Sequence, residues 1–85
     1  MVVRLPAARR RRQLLEVALE VFARQGFHGT SMDEVAEAAG VTKPVLYQHF
    51  RSKRLLYLEL LDDVGNQLLE EITKAVASAA SPRQQ

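Results

Sequence analysis

The stretch Val41-Thr42-Lys43-Pro44-Val45-Leu46-Tyr47-Gln48-His49-Phe50-Arg51-Ser52-Lys53 decides the fold of this chain. Thr42 is a candidate N-cap, and Pro44 follows in the first turn, where a missing N–H costs little. Ser52 is a candidate cap for the next helix. Between the two caps fits a helix of about eight residues, too short to be stable alone. Leu46 and Phe50, spaced i and i+4, are its apolar anchor. Its polar side chains are Lys43, Tyr47, Gln48 and His49. We hypothesise that they face the DNA major groove.

Two further helices are predicted before this stretch. Over residues 13–25, apolar side chains recur every three or four positions, which predicts a helix that packs the core. Gly26 is expected to end that helix in the left-handed conformation, as in a Schellman motif. Ser31 and Glu34 form a capping box that starts a second helix over residues 32–39.

The second and third helices are joined by the short turn Gly40-Val41-Thr42. Helix, three-residue turn, helix is the spacing of a helix-turn-helix, in which the second helix enters the major groove. An ordinary helical hairpin has the same spacing, so this alternative stays open.

A long fourth helix is expected from Ser52 to about residues 77–80. Its start, residues 55–61, is apolar around most of the circumference and should be covered on several sides. Farther along runs a narrower apolar stripe: Leu61, Val64, Leu68, Ile72, Ala75 and Ala79. A helical protein-interaction module that uses this stripe is the alternative function.

The charges divide unevenly between the two halves of the chain. Residues 1–54 hold ten Lys/Arg against five Asp/Glu (+5), and residues 55–85 hold two against five (−3). A basic first half suggests a polyanionic partner. Residues 1–12 are predicted to be a flexible basic arm, in which Arg9 to Arg12 would oppose a helix dipole unless phosphates neutralised them.

Composition sets bounds on the class of protein. Eighty-five residues allow one small domain, and the absence of cysteine excludes disulfides and thiolate metal sites. No apolar run approaches the ~20 residues of a membrane span, and no secretory signal is recognisable. No metal-ligand spacing, phosphate loop or catalytic pairing is present, so we expect no enzyme, no metal and no cofactor.

The chain resembles the DNA-binding domain of TetR-type transcriptional regulators over about residues 10–61. The resemblance rests on three runs: Thr30-Ser31-Met32-Asp33-Glu34-Val35-Ala36, Ala39-Gly40-Val41-Thr42 and Leu46-Tyr47-Gln48-His49-Phe50-Arg51-Ser52-Lys53. It implies an all-α fold, with a three-helix, homeodomain-like helix-turn-helix head over residues 13–52 and a long linking helix over residues 53–80. Residues 81–85 would be a tail.

The resemblance also implies partners and site residues. The base-facing residues of the recognition helix would be Lys43, Pro44, Val45, Tyr47 and His49. The phosphate and positioning contacts would come from Thr30, Ser31, Thr42, Lys53, Arg51, Arg10 and Arg11. The protein would be a bacterial, cytoplasmic regulator, nucleoid-associated when bound, and most simply a repressor. It would bind a palindromic operator as a homodimer. A small-molecule effector would act through a C-terminal domain outside this chain, since family members run to roughly twice this length or more.

Overall fold

The computed structural model describes residues 5–79, which form four α-helices and no strand. The helices are α1 (Ala7–Gln25), α2 (Met32–Ala39), α3 (Lys43–His49) and α4 (Lys53–Ala79). This confirms the all-α prediction and the order of a three-helix head followed by a long helix. The predicted tail over residues 81–85 lies outside the described residues. None of the helices between residues 5 and 79 is long and apolar enough to cross a membrane.

The start of α1 corrects the prediction of a flexible arm over residues 1–12. The helix begins at Ala7, not at Gln13, with Pro6 in the N-cap position and its carbonyl accepting from the Arg10 N–H at 2.9 Å. Proline is tolerated here because it precedes the first helical residue and interrupts no intrahelical hydrogen bond, and alanine and arginine are strong helix formers. The arginine run therefore lies on the first turns of α1. The part of the arm before Leu5 lies outside the described residues.

The end of α1 differs from the expected left-handed cap. Gly26 has φ of 78° but ψ of 168°, so it leaves the helix in an extended conformation that only glycine tolerates readily. Its N–H still donates to the Phe22 carbonyl, and its own carbonyl accepts from the Thr30 hydroxyl at 2.7 Å. The turn is thus closed by a threonine side chain and not by a Schellman motif.

The signals for α2 are confirmed, and those for α3 are confirmed in part. The Ser31 hydroxyl accepts from the Glu34 N–H at 3.1 Å, and the Glu34 carboxylate accepts from the Ser31 N–H at 2.9 Å, which completes the capping box. Gly40 ends α2 in the left-handed region. Thr42 occupies the N-cap position of α3, but its side chain makes no capping hydrogen bond. Ser52 does cap α4, accepting from the Leu55 N–H at 3.1 Å.

One hydrophobic core joins all four helices. Five large side chains are fully buried in it: Leu14, Val35, Leu46, Phe50 and Leu56. They come from α1, α2, α3, the residue after α3, and α4. The first turns of α4 therefore belong to the core of the head, and α3 is held from outside, as its shortness requires.

The apolar start of α4 is covered less fully than the sequence suggested. Only Leu56 and Leu60 are buried, whereas Leu55, Leu58 and Leu61 stay between 45% and 52% exposed. The main contact between α4 and the head is with α1, so the sides of α4 that face away from α1 stay exposed. The stripe farther along is exposed as well, including Leu61, Val64, Leu68 and Ile72.

Candidate nucleic-acid interface

The outer face of α3 is polar and accessible. Lys43, Pro44, Tyr47 and Gln48 are exposed, while Val45 and His49 are half-buried. On the opposite side, Leu46 is 0% exposed, and Phe50, just after the helix, is 1% exposed. The five residues predicted to face bases are thus brought together on one short helix. Tyr47 is 42% exposed, so it is a surface residue and not part of the core.

Lys43 at the start of α3 is paired with an acid on the neighbouring helix. Its ammonium lies 3.1 Å from the Asp33 carboxylate, and both side chains are more than half exposed. Spacing along the chain does not reveal this contact, because it depends on how α2 and α3 cross. The pair holds the lysine at the edge of the exposed face.

Lys53 closes the space between the start of α4 and the turn before α2. Its ammonium donates to the carbonyls of Phe27 at 2.7 Å and Thr30 at 2.9 Å, and lies 4.2 Å from the centroid of the Phe27 ring. An ammonium has three donors, so one remains for a further acceptor. The predicted phosphate contact stays a prediction, and a structural role is added to it.

The three small hydroxyl residues predicted as positioning contacts differ in accessibility. Thr30 is 3% exposed and its hydroxyl donates to a carbonyl of the α1–α2 turn, so its side chain is engaged inside the protein. Ser31 and Thr42 are exposed at the N-termini of α2 and α3. Arg51 is exposed in the turn between α3 and α4.

The arginine side chains at the start of α1 contact two different parts of the protein. Arg10 is half-buried and donates to the Gln13 side chain, and it lines a shallow groove beside α3. The groove is formed by Leu5, Ala7, Arg10, Val45, Gln48 and His49. Arg11 instead pairs with Glu59 on α4, and its guanidinium lies 4.6 Å from the centroid of the Phe50 ring.

Arg12 makes the better-defined ion pair with α4. Both of its terminal nitrogens lie 2.7 Å from the two carboxylate oxygens of Asp63. This bidentate geometry is the strong form of an arginine–carboxylate contact. Two of the arginines that the sequence assigned to phosphates, Arg11 and Arg12, are therefore paired with carboxylates of α4. Arg10 lies beside α3 instead.

The hydrogen bond from Arg12 lowers the pKa of the Asp63 carboxyl below its usual range. A carboxyl with a lowered folded-state pKa stabilises the protein at pH values above its unfolded pKa. That contribution is lost as the pH falls through the lowered value. Asp63→Asn should therefore reduce the urea midpoint at neutral pH, and the difference from the unsubstituted chain should shrink as the pH falls through the lowered pKa of Asp63. Asp62→Asn, which removes an exposed carboxylate one residue earlier, is the control and should give a smaller difference. A deficit in Asp63→Asn that persists in acid would contradict the ion-pair assignment.

Three residues of this surface were missed or undervalued from the sequence. Gln48 is exposed on α3 beside the groove; it was hypothesised to face the major groove but was not among the residues assigned to base contact. The sequence analysis assigned no site role to Asp33, and it treated Arg12 only as part of the run from Arg9 to Arg12 that phosphates would neutralise. A polar residue on the outer face of a capped short helix was the available signal for Gln48. No local signal existed for the other two.

The surface is suited to binding through hydrogen bonds and ion pairs. It offers ammonium and guanidinium donors, an amide, a phenol, an imidazole and apolar Pro44 and Val45 edges on a firmly held helix. Among residues 5–79, no three His, Cys, Asp or Glu side chains are grouped so that they could hold a metal ion.

Comparisons with known proteins identify close relatives of this arrangement. Residues 14–60 match the family model described as bacterial regulatory proteins, tetR family. The chain is 48% identical over 81 residues to the transcriptional activator FasR of Mycolicibacterium smegmatis, covering 95% of this chain and 37% of the relative. It is 35% identical over 75 residues to the transcriptional repressor KstR2 of the same organism, covering 88% and 37%. A crystal structure of a TetR-like transcriptional regulator from Rhodococcus sp. RHA1 superposes with a TM-score of 0.79 at 40% identity, covering 94% of this chain and 42% of that one. The chain thus spans well under half the length of these relatives.

Proposed function

Because this chain belongs to the tetR family of bacterial regulatory proteins, a family of transcriptional regulators and not of enzymes, we propose that it is a sequence-specific DNA-binding regulator. The observation that supports this most is α3: a helix of seven residues, anchored by Leu46 and Phe50, that holds its polar face toward solvent. A rigid, accessible helix in the second position of a helix-turn-helix suits the major groove.

The front of α3 would read base edges. Lys43 donates to guanine O6 and N7, a contact that discriminates by ~1–3 kcal/mol when well placed. Pro44 and Val45 offer apolar contact to thymine methyl groups. Tyr47 and His49 lie one turn later and reach bases or the adjacent phosphates.

Residues around α3 would hold the phosphate backbone. Lys53 keeps one donor free after its two carbonyl contacts. Arg51 is exposed two residues earlier, and Arg10 lines the same groove as His49. Ser31 and Thr42 lie at helix N-termini, where backbone N–H groups favour anions.

The regulatory outcome we propose is repression. A protein bound over a promoter excludes polymerase with no further contact, whereas activation needs an additional surface. In its full-length form the protein would be a homodimer on a palindromic operator, released by a small-molecule effector that binds outside these 85 residues. Such a role places it in the bacterial cytoplasm, on the nucleoid when bound.

Salt dependence tests the proposed function. The log–log slope of duplex affinity against salt should grow by roughly 0.9 for each neutralised phosphate, giving about −3 for three contacts. Fluorescence anisotropy with a labelled duplex measures it. The second candidate function, protein association through the exposed apolar stripe of α4, predicts a flat slope, and that result would remove DNA as the partner.

Lys43→Ala separates base reading from backbone contact. We expect the preferred operator sequence to change, with discrimination at one position falling about tenfold. Selection from random duplexes, with Arg51→Ala as the matched cation control, measures this. If both variants select the original sequence with equally reduced affinity, Lys43 contacts phosphate and not a base.

A further inference from the structure

The two acids in the first turn of α2 have different roles. Glu34 is fully engaged in the capping box with Ser31. Asp33, one residue earlier, has a side chain that is 69% exposed and lies 3.1 Å from the Lys43 ammonium on α3. Its carboxylate therefore lies at the front of the helix that carries the proposed base-reading surface.

Helix α3 lacks a negative charge of its own at this end. Its first turn holds no acidic residue, and the Thr42 side chain makes no capping bond. Lys43, as its first residue, opposes the helix dipole, so Asp33 supplies the missing charge from the neighbouring helix. An ion pair this exposed adds little to stability. We therefore expect the Asp33–Lys43 pair to affect what the exposed face of α3 binds, and not the stability of the fold.

We propose that Asp33 is a specificity-determining residue that reads a G·C base pair together with Lys43. This inference rests on the proposed function. On the major-groove edge of one G·C pair, the guanine O6 and N7 acceptors lie next to the cytosine N4 donor. The Lys43 ammonium is a donor for the two guanine acceptors, and the Asp33 carboxylate is an acceptor for the cytosine amino group. The two neighbouring side chains therefore complement the donors and acceptors on that edge.

The same carboxylate disfavours contact with the backbone alone. Phosphates repel Asp33, and in a nonspecific complex nothing compensates for drawing Lys43 away from it. In the specific complex the cytosine amino group takes over as the partner of Asp33. Asp33 therefore lowers affinity for random DNA while raising preference for the correct pair.

Asp33→Asn in the full 85-residue chain tests this proposal, with Glu37→Gln as the control. Glu37 is exposed on the same helix, so both variants remove one negative charge from α2. In Asp33→Asn, affinity for a random duplex should rise more than in the control. Preference for G·C at one position of the half-site should fall about tenfold. Circular dichroism verifies that both variants keep the helical fold.

The double variant Asp33→Asn/Lys43→Ala adds a second readout. If the two residues read one base pair as a unit, the double variant should lose no more discrimination than Lys43→Ala alone. Additive losses would show that they read separate positions, which contradicts the proposal. A sequence preference and random-duplex affinity identical in Asp33→Asn and Glu37→Gln would overturn it, with the proposed function left standing. Salt-independent or absent duplex binding by the unsubstituted chain would instead remove the proposed function, and this inference with it.

Discussion

Phe50→Ala is expected to lower the free energy of unfolding by about 3–5 kcal/mol, the usual cost of truncating a buried phenylalanine. Phe50 is 1% exposed, its N–H ends α3 by donating to Leu46, and Arg11 covers its ring. A domain of this length has a total stability of only ~4–13 kcal/mol. The variant should therefore lose a large share of its stability, and duplex binding should weaken because α3 loses its anchor. Urea denaturation followed by circular dichroism measures the loss.

Two companion variants separate packing from composition. Leu58→Ala removes an apolar side chain that is 47% exposed on α4, and we expect a change within about 1 kcal/mol. Phe50→Leu keeps most of the volume and should recover much of the lost stability. If Phe50→Ala and Leu58→Ala unfold at the same urea concentration, Phe50 is not what anchors α3.

Lys53→Ala should reduce both stability and DNA affinity. Its ammonium donates to two carbonyls of the turn between α1 and α2, and hydrogen bonds to charged groups contribute about 1.5–3 kcal/mol. Without it, the Phe27 and Thr30 carbonyls lose their donor and the turn before α2 loosens. Affinity should fall about equally for all duplex sequences, because the contact proposed for Lys53 is with phosphate.

Arg54→Ala is the matched control for Lys53, since it removes one positive charge from the next residue, which is exposed. It should weaken duplex binding modestly and leave the urea midpoint close to that of the unsubstituted chain. Lys53→Met keeps the aliphatic stem and loses the donors, so it should resemble Lys53→Ala in stability. Equal urea midpoints for Lys53→Ala and Arg54→Ala would show that the two carbonyl contacts contribute nothing to the fold.

Most of the fold was predictable from residues close together in the sequence. The capping box at Ser31 and Glu34, the glycine after α2 and the Ser52 cap each depend on residues within four positions, and each formed as predicted. The Leu46 and Phe50 anchor followed from spacing alone. These features were predictable because helix ends are satisfied by neighbouring side chains.

Features that depend on distant partners were not predictable. The early start of α1 is supported by Glu59 and Asp63 on α4, 48 and 51 residues away from their arginines. From the sequence alone, those arginines were assigned to phosphates. The turn at Gly26 is an exception among the local features, because the Thr30 hydroxyl that closes it lies only four residues away, yet the residue pattern predicted a left-handed cap.

The candidate site divides in the same way. That α3 would carry Lys43 and Tyr47 on an accessible face followed from periodicity, whereas His49 is half-buried. That Asp33 would pair with Lys43, and that Lys53 would donate to two carbonyls, depends on how helices cross and on backbone atoms that no side-chain pattern encodes. The assignment of individual residues to bases or phosphates stays a prediction.

Helix α4 has a mechanical consequence for the head. Its 27 residues are attached to α1 by Leu56, Leu60 and the ion pairs that end at Asp63. The sixteen residues from Val64 to Ala79 extend beyond that attachment, a free arm of about 24 Å at ~1.5 Å per residue. A tilt of α4 by ~10° at this attachment therefore moves its far end by about 4 Å. Conversely, a displacement of about 4 Å at the far end of α4 is enough to tilt the head, and α3 with it, by ~10°.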